Sequence, residues 1–401
     1  MTPFLQLVFA LIVIITAAKA GGWLAVRLGQ PAVLGELLVG VLLGPSLLDL
    51  LHWPFLVNAA EPHLLTETIY YLAELGVVCL MFLAGLEVDV RELRRTGRVS
   101  TLAGVLGVIV PLAFGALVML PFGYQGQAAL FVGMILTATS VSISAQTLLE
   151  LGVLRSREGV ALLGAAVVDD VLVILLLSVF VAVAASRAGG AAIMLVFARM
   201  LLYLGLAIAA SFLLPRLADW VDGQPISEGL AALVLVATLA LAWTAEVVGG
   251  LAAITGAFIA GLGFGRSHLR AAIGRSMHTI TYAFLVPIFF VSIGLKTNVR
   301  LLTGPGLLLA FVLVIVAVVS KVLGGGLGAR LGGFTGRESL RVGVGMISRG
   351  EVGLIVATVG VSAGLIQTEL FSIVTLIVLA TTLVTPPLLR QVFASKETSH
   401  A

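Results

Sequence analysis

The length of its apolar blocks limits what this chain can become more than any other feature. They run for about 18 to 28 residues between short polar or basic breaks, and about 20 residues of helix cross the hydrocarbon core of a bilayer. Backbone amides in a bilayer must be satisfied within the chain, so blocks of this length, repeated, specify an all-α polytopic membrane protein. Composition agrees: 60% of residues are hydrophobic and 11% charged, against roughly 45–50% and 25% in soluble domains. The run from Phe4 to Ala18 has no basic residue before it, and so reads as a first span rather than a signal peptide.

The pattern predicts helices near 4–26, 31–51, 66–88, 99–120, 127–149, 157–183, 191–215, 227–246, 250–266, 272–295, 302–331, 338–363 and 367–390, thirteen in all. Gly and Pro punctuate them at Gln30-Pro31, Pro54, Pro121, Gly189-Gly190, Pro225 and Gly304-Pro305. On this count one set of alternating connections collects most of the basic residues, from Lys19 and Arg27 through Arg91, Arg94, Arg95 and Arg98 to Lys396. The other set holds Arg187, Lys296 and Arg300. The positive-inside rule then puts the amino terminus outside and the carboxyl terminus in the cytoplasm. Thirteen spans divide into six, a linker and six, the arithmetic of an inverted-topology repeat with its ion site at mid-membrane.

The net charge of +3 comes without a basic, aromatic-rich patch, so nucleic acid is not an expected partner. The single cysteine, Cys79, excludes an intrachain disulfide and a cysteine metal cluster. The five histidines fall in loops or near span ends and suggest no metal site. With no nucleophile–base set, cofactor motif or P-loop, neither an enzyme nor a directly ATP-driven pump is expected, and no cofactor is called for.

A charge at the centre of a span costs at least about 2.5 kcal/mol, so intramembrane ionisable residues are functional candidates. Asp169 and Asp170 lie inside the sixth block, GVALLGAAVVDDVLVILLLSVF. Successive helical residues point about 100° apart, so one carboxylate can hold a structural partner while the other faces a cavity. Lys321 is the only lysine deep in an apolar block, and an ion pair with one of the two aspartates follows. Gly324, Gly325 and Gly326 after it permit close helix approach. The fifth block clusters Thr137, Thr139, Ser140, Ser142 and Ser144. Such hydroxyls often bond back to their own helix, but small hard cations also want oxygen ligands, which hydroxyls and unwound backbone supply. Arg349 and Glu351 sit mid-block in GVGMISRGEVGLIVATVG; two apart, they do not face each other, and can instead neutralise half-helix ends. Glu36, Glu74, Glu87 and Glu246 read mainly as structural or interfacial, Glu74 being the least easily dismissed.

The strings QPAVLGELLVGVLLGPSLL, YLAELGVVCLMFLAGLEVD, TATSVSISAQTLLELGVL, GAAVVDDVL, ITGAFIAGL, PIFFVSIGL, KVLGGGLGA and GMISRGEVGLIVA, in this order, resemble bacterial sodium/proton antiporters of the monovalent cation/proton antiporter superfamily. The resemblance implies thirteen helices with two crossed discontinuous ones, a homodimer in the inner (plasma) membrane, and elevator-type alternating access. A dimerisation domain would comprise 1–90 and 218–298, a core ion-transport domain 98–185 and 301–392, and a linker helix 190–217. Asp170 matches the essential ion-binding aspartate and Asp169 its partner, paired with Lys321. Thr139 and Ser140 match the unwound stretch, so sodium is expected at Asp170, Asp169, Thr139 and Ser140, with Arg349, Glu351 and Glu74 in support. The Asp-Asp form resembles the electrogenic branch. Sodium and protons, with lithium as a further cation, are the expected substrates and the lipid bilayer the surroundings. Potassium/proton exchange, and a gated cation channel or ion sensor, stay open as alternatives, because selectivity rests on cavity geometry.

Overall fold

The computed structural model describes residues 2–56, 63–88, 90–184, 190–295, 305–362, 366 and 368–394. Arg187, Lys296, Arg300 and Lys396, together with the expected boundaries 185, 298, 301, 302, 363 and 367, lie outside the described residues.

The helices, in chain order, are α1 (Pro3–Arg27), α2 (Ala32–Leu43), α3 (Leu64–Glu87), α4 (Val90–Met119), α5 (Gly126–Ile135), α6 (Val141–Glu150), α7 (Arg157–Ala184), α8 (Gly190–Ser211) and α9 (Leu214–Asp222). They continue as α10 (Gly229–Thr244), α11 (Ala253–Phe264), α12 (Arg270–Ile280), α13 (Val286–Leu295), α14 (Pro305–Gly332), α15 (Gly336–Gly345), α16 (Glu351–Ser362) and α17 (Thr368–Ala394). A π-helical turn at Ala245–Gly249 extends α10, and another at Thr281–Leu285 joins α12 to α13. Among the described residues, nine helical segments are long and apolar enough to cross a membrane, and α2, α5 and α11 are shorter apolar helices.

Several expected helices end early, for local reasons. The helix expected at 31–51 stops at Leu43, where Gly44 takes an extended conformation ahead of Pro45, and only a short 3-10 turn, Leu50–His52, follows. Proline disfavours the helical region for the residue before it. Gly250, at φ +67°, separates the π turn from α11, so the segment expected at 250–266 is helical only from Ala253 to Phe264. The helix expected at 191–215 ends at Ser211 and a further helix runs on to Asp222. The blocks at 127–149 and 338–363 are each split: α5 and α6 are separated at 136–140, and α15 and α16 at 346–350.

The chain forms two compact units, one of residues 1–88, 205–248 and 252–300, the other of 89–204, 249–251 and 301–401, with one division falling inside α8. In the first, α1 packs on α2, α13 on α2 and α3, and α11 on α3 and α10. Its core is made by Phe82, Leu86, Ala260, Phe264 and Ile273, and Cys79 is packed among them. Glu36 is buried there and accepts from Lys19 Nζ at 3.2 Å.

In the second unit α4 lies between α14 and α7, while α15 and α17 pack on α14. The approach of α14 to α4 depends on glycine one helical turn apart. A Cβ on Gly324 would fall 2.4 Å from the Leu106 carbonyl oxygen, and one on Gly328 2.2 Å from that of Leu102. Phe131, Ile135, Leu313, Val356, Ile373 and Ile377 are among the apolar residues that fill the interior around the split helices.

Candidate functional site

The site is built where the two splits meet. Ending a helix leaves its last carbonyls without intrahelical donors, a cost that must be met inside the protein when water is excluded. Residues 137–140, Thr-Ala-Thr-Ser, carry hydroxyls that compete for backbone groups, and Gly350 closes the second split. The Ser140 amide donates to the Ser348 carbonyl at 2.8 Å, and Ser348 Oγ donates back to the Ser140 carbonyl at 2.6 Å. Ser144 Oγ donates to the carbonyl of Gly345, the last residue of α15, at 2.6 Å. A Cβ on Gly350 would lie 2.6 Å from Ser140 Oγ, so only glycine lets the two segments touch here.

Arg349, 1% exposed, works the same way at the end of α5. Its Nη2 donates to the Leu136 carbonyl at 2.8 Å and to the Ala317 carbonyl on α14 at 2.9 Å, and Nη1 donates to the Ile347 carbonyl. A guanidinium can serve carbonyls in several directions while countering the negative end of a helix dipole. Thr382 on α17 in turn donates to the Arg349 carbonyl at 2.7 Å.

The charged pair lies on the neighbouring helices. Lys321 Nζ on α14 donates to Asp169 Oδ1 on α7 at 2.8 Å, and both side chains are fully buried. Asp170, 5% exposed, is close enough to act electrostatically on the Lys321 ammonium. The Thr139 hydroxyl faces the Asp169 carboxylate, and both Thr139 Oγ1 and Asp169 Oδ2 are buried. Buried carboxylate and hydroxyl oxygens gathered in this way suit a small hard cation, the cargo such a site would carry.

Asp169, Asp170, Lys321, Thr139, Ser140 and Arg349 therefore belong to one unit. Of the five hydroxyls in the fifth block, Thr137 bonds back to its own helix at Met134, Ser140 and Ser142 lie 3.1 Å apart, and Ser144 crosses to Gly345. Glu351 opens α16, but its side chain lies outside the described residues. Glu74 is exposed on α3, in the other unit. Reading the chain in one dimension missed Thr382, whose TTLVTPP setting resembles any other hydroxyl in a span. It also missed the buried pair of Arg341 Nη1 with Glu158 Oε1, 2.6 Å apart.

Comparison with known proteins agrees with this architecture. The model of the family described as "Sodium/hydrogen exchanger, transmembrane" matches residues 9–394. The Na(+)/H(+)-K(+) antiporter GerN of Bacillus cereus is 37% identical over 394 residues, with 97% of each chain covered. The Na(+)/H(+) antiporter of Enterococcus hirae is 33% identical over 388 residues, covering 96% of this chain and 98% of that one. In fold, the chain is similar to the sodium proton antiporter MjNhaP1 from Methanocaldococcus jannaschii, with TM-score 0.67 at 20% identity and coverage of 98% and 97%. These matches are to multi-pass transporters rather than enzymes, and the chain belongs to the family of transmembrane sodium/hydrogen exchangers.

Proposed function

We propose that this protein exchanges sodium for protons, with Asp170 as the carboxylate that carries them in turn. One observation carries the reading: of two adjacent buried aspartates, Asp169 is tied to the buried Lys321 and faced by the Thr139 hydroxyl of a helix break. Protons and sodium compete for the Asp170 site under alternating access, and Asp169, Thr139 and Ser140 complete the sodium ligands. Arg349 holds the breaks in place, and Glu351 and Glu74 act in support. When sodium draws Asp169 away from Lys321, the lysine releases its own proton, so that more than one proton moves per sodium and the cycle carries net charge.

The wider architecture follows the same reading. Counting each split pair as one span and adding α2 and α11 to the nine long segments gives thirteen spans. The split pairs are the two crossed discontinuous helices of an inverted repeat, at mid-membrane. The unit with the aspartates is the sliding core of an elevator, the other unit is the dimerisation domain of a homodimer, and 190–217 is the linker helix. The protein sits in the plasma membrane with its amino terminus outside and its carboxyl terminus in the cytoplasm.

Purified protein in sealed vesicles, given sodium, lithium or potassium gradients across a range of pH, tests the assignment. Proton movement opposite to sodium, and absent without it, is the expected result. Sodium flux with no proton countermovement would indicate a channel instead. Potassium/proton exchange is the second reading, favoured by the potassium in the name of the relative at 37% identity; a preference for potassium over sodium in the same vesicles would select it.

A further inference from the structure

Away from the aspartates, the described residues of the second unit hold a further buried ion pair, and the exchange reaction as described makes no use of it. Arg341 on α15 and Glu158 on α7 are 7% and 5% exposed, with Nη1 and Oε1 2.6 Å apart. Arg341 Nε also donates to the Val392 carbonyl near the end of α17 at 3.1 Å, and its guanidinium lies 4.9 Å from the Phe393 ring centroid. One side chain thus ties together three helices, and each of them carries part of the site. α15 runs straight into the second break. α7 carries Asp169 and Asp170 about three turns beyond Glu158. α17 supplies Thr382, which bonds the Arg349 carbonyl.

The geometry is that of a register lock. α15 is a half-helix of 10 residues, too short to be stable by itself. At its start it has the Thr335–Glu338 capping box and an Arg157–Glu338 contact of 3.6 Å. Arg157 is 61% exposed, so that contact adds little. The buried Arg341 fork is directional and charge-assisted, and a rotation or slide of α15 would break it. Such a slide would also part Ser348 from Ser140 and Gly345 from Ser144, contacts that depend on where α15 ends.

We propose that Arg341 is a positioning residue for ion exchange: held by Glu158, it fixes α15 at the register that brings the two helix breaks together. The inference rests on the exchange reading, and it acts through the ligand geometry at Thr139 and Ser140 rather than by contact with the ion. Losing the lock should weaken sodium binding more than it slows turnover. Partners that orient ion ligands typically change affinity about tenfold or more when removed.

The test uses the full-length protein. Arg341→Gln, Glu158→Gln, the double variant and Arg341→Lys are compared with wild type for sodium KM and kcat in vesicles, and for amide hydrogen exchange at 136–140 and 346–350 in detergent. The double variant leaves no unpaired buried charge, and so remains informative if a single variant fails to fold. The expected result is a sodium KM raised about tenfold, kcat within about threefold, faster amide exchange at both breaks, and partial recovery of KM in Arg341→Lys, which can still pair with Glu158. Unchanged KM and unchanged exchange at the breaks, even with a lower melting temperature, would reduce the pair to a structural clasp and overturn the proposal. If wild type moves no sodium against protons but the variants still loosen both breaks, the exchange reading fails while the register lock stands.

Discussion

The Asp169–Lys321 pair gives the sharpest test of the site, because both partners are fully buried and joined at 2.8 Å. Neutralising Lys321 alone, as Gln, leaves a buried carboxylate without its cation; neutralising Asp169 alone, as Asn, strands an ammonium. Removing one member of a buried pair costs about 3–5 kcal/mol, whereas replacing both can be close to neutral. At about 2–4 °C per kcal/mol, each single variant should melt on the order of 10 °C below wild type. The double variant Asp169→Asn/Lys321→Gln should melt above either single one, since no unpaired charge remains. The measurement is thermal unfolding of all four proteins in one detergent, with currents on a solid-supported membrane for those that still transport. A single variant with residual exchange should pass less charge per cycle. Additive losses, with the double variant lowest of all, would show that the two residues are not energetically coupled and refute the electrostatic argument.

Three further outcomes are expected. Asp170→Asn keeps the shape and removes the charge, so a folded protein with no sodium/proton exchange should result; near-normal exchange in vesicles would remove Asp170 from the centre of the site. Thr139→Ala and Ser140→Ala should each raise the apparent sodium KM by about three- to tenfold without abolishing transport, the loss of roughly one hydroxyl ligand; unchanged KM in both would place the sodium ligands elsewhere. Gly350→Val should cost about 1–3 kcal/mol by overpacking against Ser140 and raise sodium KM, whereas Gly353→Ala, whose new Cβ would have 3.7 Å to its nearest neighbour, should do neither. Melting curves and transport on the same preparations check both.

Much of this protein is written along the chain, because burial and helix breaking are local chemistry. Apolar blocks of crossing length demand helices in a bilayer, and an aspartate pair and a lone lysine inside such blocks demand each other. Hydroxyls at 137–140 and a glycine at 350 weaken the helices where the structure splits them. The same local logic, applied to Pro45, would have ended α2 at Leu43; the apolar run through Leu51 concealed it. Partner choice is another matter. Arg349 reaches the Leu136 carbonyl 213 positions away, Arg341 finds Glu158 across 183, and Thr382 meets the Arg349 carbonyl across 33. Glu74 stood out among the acids near span ends, yet its exposure on α3 is set by how that helix is turned in the packed structure. A linear pattern states that a buried charge or an unpaired carbonyl needs a partner. Which partner it gets depends on which helices become neighbours and how far each is turned about its axis, and only the packed structure sets both.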